Sequence, residues 1–277
     1  MRTLVHLSDL HFGRVDERLV EPLIARVRAL GPDLVVVSGD LTQRARPSEF
    51  RAARAFLDRL PCARLVVPGN HDIPFYNAFQ RFLQPLDKFH RFIEADANPC
   101  FIDAEIAVVG VNTARSLTFK GGRINARQIE VLRARLGSVG ANVTKVAVTH
   151  HPFDLPEDWD GRARSVGRAA LALETLASCG VDLLLAGHFH RSNAEVTART
   201  VAVGGRSALL VQAGTATSTR SRGEANAFNV LRLEPGRVAI DRYAWDEPSR
   251  AFEPSKSEAF AESAAGWSPV EPPASGR

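Results

Sequence analysis

Five short polar motifs each follow an apolar run, and this arrangement restricts the chain more than any other feature of its sequence. Asp9 and His11 stand in DLH, Asp40 in SGD, Asn70 in GNHD, His150 in THHP, and His188 and His190 in GHFH. In open α/β sheets, ligand groups gather outside the carboxyl ends of the strands, so five separate loops are expected to converge on one edge.

The runs between the motifs support that layering. Short β-rich runs at residues 3–7, 33–37, 64–67, 106–111, 145–148 and 182–185 alternate with helical patterns at 17–29, 48–60, 77–93, 126–136 and 168–178. Such alternation predicts an α/β domain. Pro85 is expected to kink or split the third helix, because proline lacks an N–H and clashes with the preceding turn. After Gly187, runs at 194–198, 208–212, 226–233 and 237–245 read as an antiparallel meander. The organisation expected is one domain over residues 1–245. A Pro, Ser, Glu and Ala rich tail at 246–277, loosely attached or disordered, follows it, with Phe252, Phe260 and Trp267 its only docking candidates. The stretch 152–166, with Trp159, Arg162 and Arg164, is where a substrate-facing loop would lie.

Composition narrows the partners. With 277 residues, 45% of them apolar and 24% charged, the chain can bury a sizeable core. The net charge of +4 rests on arginine, lysine being confined to Lys88, Lys120, Lys145 and Lys256. Arg28, Arg44, Arg46, Arg51, Arg54 and Arg59 recur at helix-like intervals and read as a solvated face, which disfavours nucleic acid as a partner. Cys62, Cys100 and Cys179 form no CxxC pattern, so neither a disulfide framework nor a zinc knuckle is expected. The amino terminus enters a strand at once, and no run approaches the ~18 apolar residues of a membrane span. A soluble, cytoplasmic protein that avoids membranes is the expectation.

Six of the eight histidines lie inside the five motifs: His11, His71, His150, His151, His188 and His190. Oxygen and imidazole ligands without thiolate suit Mn, Fe or Zn. Asp9 and His11, one residue apart, share a face if strand geometry persists, and His188 and His190 repeat the spacing. Asp40 has two oxygens with which to bridge two ions, and Gly39 permits a tight turn before it. Asn70 and His150 would complete the shell of the second ion. Two divalent ions carry four positive charges, of which Asp9, Asp40 and a bridging hydroxide remove three. The remaining positive charge suits an anionic phosphate, and a paired site can stabilise the attacking and departing oxygens of an in-line displacement. His71 is not needed as a ligand; it is the candidate catalytic residue, stabilising phosphoryl charge or protonating the leaving alkoxide. Asp72 either orients His71 or, the preferred reading, caps a helix starting near Pro74.

The succession DLH, GD, GNHD, HHP and GHFH resembles the calcineurin-like metallophosphoesterase superfamily over roughly residues 4–190. That resemblance implies a four-layer αββα sandwich with a dinuclear metal site at the strand carboxyl ends. It implies that Asp9, His11, Asp40 and His190 hold the first ion and Asp40, Asn70, His150 and His188 the second, with His71 the non-ligand catalytic histidine. His150 matches the ligand better than His151. The size and the spelling HHP with GHFH are similar to bacterial class III cyclic-nucleotide phosphodiesterases and their glycerophosphodiesterase relatives. Asp40 is followed by LTQRA, so the GDYVDRG motif of the protein Ser/Thr phosphatases is missing.

A phosphodiesterase acting on a small diester, with cyclic AMP the lead candidate, is therefore expected. A nuclease or phosphomonoesterase is the enzymatic alternative, and a non-catalytic interaction module on the same fold the other. Asn70, His71, Asn112, Arg115 and His151 are the candidate substrate contacts, joined by Thr113 and Arg14, while His6 and His90 read as structural. A homodimer is an expectation carried by the resemblance.

Overall fold

The structure is a computed structural model that describes residues 1–118, 121–153, 166–189, 198–203, 206–220 and 224–272. Its elements run β1 (Arg2–Leu7), α1 (Glu17–Leu30), β2 (Leu34–Val37), α2 (Pro47–Leu57), β3 (Ala63–Val66), α3 (Ala78–Leu83), α4 (Asp87–Phe92), β4 (Cys100–Ile102), β5 (Ile106–Gly110), α5 (Ala126–Gly137), β6 (Thr144–Val148), α6 (Ala169–Ser178), β7 (Leu183–Ala186), β8 (Ala198–Val203), β9 (Arg206–Gln212), β10 (Ala227–Glu234), β11 (Arg237–Asp246), β12 (Ala251–Ser263) and β13 (Gly266–Val270). All six predicted strands and all five helical stretches are present, and the third helix is divided around Pro85 into α3 and α4.

Two sheets build the molecule. One has the order β13-β12-β11-β10-β1-β2-β3, the other β4-β5-β6-β7-β9-β8. Strand periodicity explains how they stack, because successive side chains point to opposite faces. In the first sheet Leu4, Leu34 and Val36 meet Val108, Val146, Val148 and Leu185 of the second, forming the core between the sheets. Their alternates Val5, Leu7, Val35 and Val37 pack against Leu19, Leu23, Ile24 and Val27 of α1 and Phe50, Ala53 and Phe56 of α2. On the far side Ala107, Val109, Ala147 and Leu184 take Ile129, Leu132 and Leu136 of α5 and Ala172 and Leu176 of α6. The layers are therefore helix, sheet, sheet and helix, the αββα sandwich expected. Strands apolar on both faces read as continuous runs, which is why they stood out in the sequence.

Local signals set the helix ends. The Asp16 carboxylate accepts from Arg18 N–H at 3.1 Å to start α1, and Gly31 at φ 55° closes it. Asn125 and Gln128 cap each other's backbone N–H at the start of α5. The helix after the GNHD motif is α3, and its cap is Asn77, which accepts from Gln80 N–H. Asp72 is thus not a helix cap, a correction to the preferred reading.

Two further expectations are overturned. The runs after Gly187 do not form one meander: β9 pairs parallel with β7 and antiparallel with β8 in the second sheet, whereas β10 and β11 extend the first sheet beside β1. Nor is the chain from residue 246 to 272 a loose tail. β12 pairs with β11 along ten register positions from Arg237↔Ala261 to Asp246↔Ala251, and β13 pairs with β12. Phe252, Phe260 and Trp267 are buried, and Trp267 N–H donates to Ser207 Oγ at 2.7 Å, so the last strand also touches the second sheet. The strand β4, next to β5 at the edge of the second sheet, was not anticipated.

Candidate metal centre

All five motif loops descend from parallel neighbours. Asp9 follows β1, Asp40 follows β2 and Asn70 follows β3, while His150 and His188 follow β6 and β7 of the second sheet. The loops are tied to one another: Asp9 N–H donates to Gly39 O, His11 N–H to Asp40 O and Gly187 N–H to His150 O. Asp9, His11, Asp40 and His188 adopt positive φ of 53°, 49°, 51° and 78°. Residues with a Cβ rarely sit there, and such strain concentrates at sites whose surroundings over-determine it. At Gly39, φ is 95° and a Cβ would lie 2.7 Å from His150 Nδ1, so only glycine allows the two sheets to approach here.

The polar atoms converge. His150 Nε2 lies 3.3 Å from Asp40 Oδ2, 3.2 Å from Asn70 Oδ1 and 3.2 Å from His188 Nδ1. His150 Nδ1 is 2.8 Å from Ser38 O. A carbonyl only accepts, so Nδ1 carries the ring hydrogen, and in the neutral ring Nε2 presents a lone pair. That lone pair, a carboxylate oxygen and an amide oxygen then face one another with no hydrogen to share. Such a donor set calls for a cation, either a proton on Nε2 or a metal ion. Burial alone would lower the His150 pKa, but the charge of Asp40 and the bond to it lift it to about 9. A metal taken up there displaces that proton, and the backbone bond at Nδ1 is the support that orients metal-binding histidines.

Asp40 is placed to serve two centres. Its Oδ1 accepts from His71 N–H at 2.8 Å, and its Oδ2 sits between His150 Nε2 and His11 Nε2, the latter 3.7 Å away. Burial would raise this carboxyl, but the charge of His150 and its bond to Asp40 hold it well below the usual carboxylate range. His11 Nε2 is also 3.6 Å from Asp9 Oδ1, and Asp9 Oδ2 accepts from Ser8 Oγ at 2.7 Å and His188 N–H at 3.0 Å. Among the described residues, three groups have ligand atoms close enough to hold an ion: Asp9, Asp40 and His150; His11, Asp40 and His71; and His150, His151 and His188. The residues fit a pair of hard or borderline divalent cations. His190 lies outside the described residues, as do Trp159, Arg162 and Arg164.

The remaining candidates divide. His151 is buried, with Nδ1 2.8 Å from Thr113 Oγ1 and its ring 4.6 Å from that of His188, and burial holds it well below the usual imidazole range. Asn112 and Arg115 are engaged elsewhere. The Asn112 side chain accepts from Ala114 N–H, and Arg115 donates to Ala114 O and to Gln128 of α5. Both line a cleft with Asn98, Gln128 and Arg135. Arg14 is exposed. His6, buried against Ser38 Oγ at 2.9 Å, and His90, against Glu94 O, make structural contacts.

Three roles escaped the sequence. The buried Asp72 carboxylate accepts from the backbone N–H of Gly69, Leu41 and Thr42 and from Thr42 Oγ1, bracing the Asp40 loop against the Asn70 loop. Ser8 steadies Asp9. Arg220, in no motif, has Nη1 2.9 Å from His71 Nε2. The only sequence signal for the braces is their place as polar residues beside a motif, Ser8 before Asp9 and Asp72 after His71; nothing in the local pattern marks Arg220.

The chain belongs to the calcineurin-like phosphoesterase family, whose profile matches residues 2–192. It is 30% identical over 256 residues to a cAMP/cGMP dual specificity phosphodiesterase of Mycobacterium tuberculosis, covering 85% of this chain and 77% of that one. It is 28% identical over 163 residues to a glycerophosphodiester phosphodiesterase of Enterobacter lignolyticus, covering 55% of this chain and 58% of that one. Among solved structures, a dimetal phosphatase from Danio rerio superposes with a TM-score of 0.66 at 15% identity, over 95% of this chain and 99% of that one, a likeness of fold. The protein is thus a metallophosphoesterase, a hydrolase whose curated relatives are phosphodiesterases.

Proposed function

We propose that the protein is a metal-dependent phosphodiesterase acting on a small diester, with a cyclic nucleotide such as cyclic AMP the leading substrate. The observation that carries this reading is the convergence of His150 Nε2, Asn70 Oδ1 and Asp40 Oδ2 on a point reached from both sheets. Asp9, His11, Asp40 and His190 would hold one divalent ion and Asp40, Asn70, His150 and His188 the other, the ions being Mn, Fe or Zn. When bound, the ions supply Lewis acidity that activates water and offsets phosphoryl charge. Asp40 would be shared by the two centres, its Oδ2 lying between His150 Nε2 and His11 Nε2. His71, held by Asp40 through its backbone and by Gln43 O through Nδ1 at 2.9 Å, lines the phosphoryl position without serving as a ligand. Asn70 and His151 border the same space. The relative named for cAMP and cGMP supports the cyclic-nucleotide choice, since it aligns along most of both chains.

Free Cys62, Cys100 and Cys179 suit the cytoplasm, and among the described residues no helix is long and apolar enough to cross a membrane. We extend the proposal to a cytoplasmic enzyme that forms a homodimer.

The test is a Mn-supplemented panel comparing an aryl diester with its monoester, cyclic AMP and GMP, glycerophosphodiesters and a single-stranded oligonucleotide. Diesters are expected to be preferred, with cyclic nucleotides ahead; preference for the monoester or the oligonucleotide overturns the reading. On the preferred diester His71→Ala is expected to keep its metal content and lose about 10²- to 10³-fold in turnover, the loss of one charge-stabilising group at the phosphoryl position. Full turnover with metals bound would remove His71 from the reaction.

A further inference from the structure

Arg220 belongs to the connection between β9 and β10, far in sequence from every motif, yet it is delivered to the site by a laced backbone. Ala216 N–H donates to Ser8 O, Asp16 N–H to Thr217 O, Thr219 N–H to Arg14 O and Thr217 Oγ1 to Leu10 O. Residues 216–219 are thereby stitched along the loop that carries Asp9 and His11, and Ser218 forms a β-bridge to Val15. Arg220 N–H then donates to Ser218 Oγ, which sets the direction in which its side chain leaves. The guanidinium ends 2.9 Å from His71 Nε2. His71, His11 and Asp40 each bring a ligand-type atom within 4.8 Å of the others, so this cation stands one hydrogen bond beyond the atoms that would surround the reacting phosphate.

Donor and acceptor rules settle the state of His71 in this arrangement. A guanidinium only donates and a carbonyl only accepts, so Nε2 takes the Arg220 hydrogen and Nδ1 gives its own to Gln43 O. His71 is neutral as held, with its lone pair turned toward Arg220. In that tautomer Nε2 is an acceptor, so of the two roles expected for His71 the geometry favours stabilising phosphoryl charge, exerted by holding the arginine that carries it. Guanidinium groups present a planar fork of donors matched to phosphate oxygens, and bonds to such anions are about twice as strong as neutral ones.

We propose that Arg220 is a substrate-contacting residue of the phosphoesterase site, placed to take a phosphoryl oxygen while holding His71 with its proton on Nδ1. The inference rests on the phosphodiesterase reading for its substrate, but its test does not depend on which ester is preferred. Arg220→Ala and Arg220→Lys are prepared in the full chain loaded with Mn. In the alanine variant the KM for an aryl diester and the Ki for inorganic phosphate are expected to rise about 10- to 100-fold, with kcat changed less. Lysine should recover part of the loss, and millimolar guanidinium added to the alanine variant should recover part as well. In the metal-free proteins the ¹⁵N ring shifts of His71 are expected to show an acceptor-type Nε2 in the wild type and a mixture of tautomers in Arg220→Ala.

Unchanged KM and phosphate Ki in the alanine variant would overturn the proposal, as would a loss confined to kcat with no recovery by guanidinium. Should Arg220→Ala fail to fold, Arg220→Lys decides the matter: wild-type KM and Ki, with unaltered ring shifts, would refute the requirement for a guanidinium fork. Preference of the wild type for the monoester would instead defeat the diesterase reading, leaving the phosphate and ring-shift measurements to judge Arg220 alone.

Discussion

At the scale of single residues, the site concentrates what the rest of the domain avoids. Asp9, His11, Asp40 and His188 hold positive φ, a conformation that costs of order 1–3 kcal/mol each for residues with a Cβ. The surrounding hydrogen bonds over-determine those turns, so the strain persists where the motif side chains converge. His6 shows the same economy in another form. It is fully buried, and burial pushes its pKa down to about 3, with the charge of Asp9 opposing in smaller measure. The unfolded chain binds a proton at the ordinary imidazole pKa of about 6.5, whereas the folded protein refuses it until about 3. Stability contributed by His6 is therefore complete above pH 6.5 and is lost as the pH falls from 6.5 toward 3, by on the order of 4 kcal/mol. Denaturant unfolding of the metal-free protein at pH 7 and pH 4 should show a steeper loss for the wild type than for His6→Phe. Equal losses would assign the acid limb to other groups.

Among the elements, β12 is the instructive one. Its sequence, AFEPSKSEAFAES, is polar and contains a proline, which reads as a tail. Its outer face is solvated, however, and the pairing register with β11 shifts between Arg242 and Tyr243, where Tyr243 lies opposite Pro254 and Ser255 is skipped. A bulge accommodates a residue that cannot donate to the ladder. Phe252 is fully buried against Phe228 and Trp245. Phe252→Ala is expected to cost about 3–5 kcal/mol, measured by chemical denaturation. A cost below about 1 kcal/mol would return this segment to the status of an appendage. By contrast the central strands and the helices α1, α2 and α5 were readable, since their apolar periodicity and caps are local properties.

For the molecule as a whole, the decisive fact is that the centre is shared between layers. Asp9, Asp40 and Asn70 come from the first sheet, His150 and His188 from the second. Ions bound there favour the folded state by mass action and cross-link the two sheets. At a hundredfold excess over the dissociation constant this amounts to about 2.7 kcal/mol, or roughly 5–10 °C in Tm for a domain of this size. Melting in Mn and in chelator should differ by that amount, and Asp40→Asn, which removes the carboxylate charge between His11 and His150, should abolish most of the difference. An identical Tm in both conditions would mean that the site does not hold ions tightly.

By itself the sequence determined the α/β layering, the five motif loops at the strand ends and the motif succession that marks the family. Each of these depends on residues within a few positions of a strand end. The tertiary structure alone decided which sheet each late strand joins, that residues 251–270 are strand, that Asp72 is a brace and that Arg220 meets His71. Those outcomes rest on contacts across long stretches of chain, 149 residues between Arg220 and His71 and 112 between His150 and Ser38. A pairing of that span leaves no periodic or local trace; it exists only once the packing of two sheets has brought the loops together.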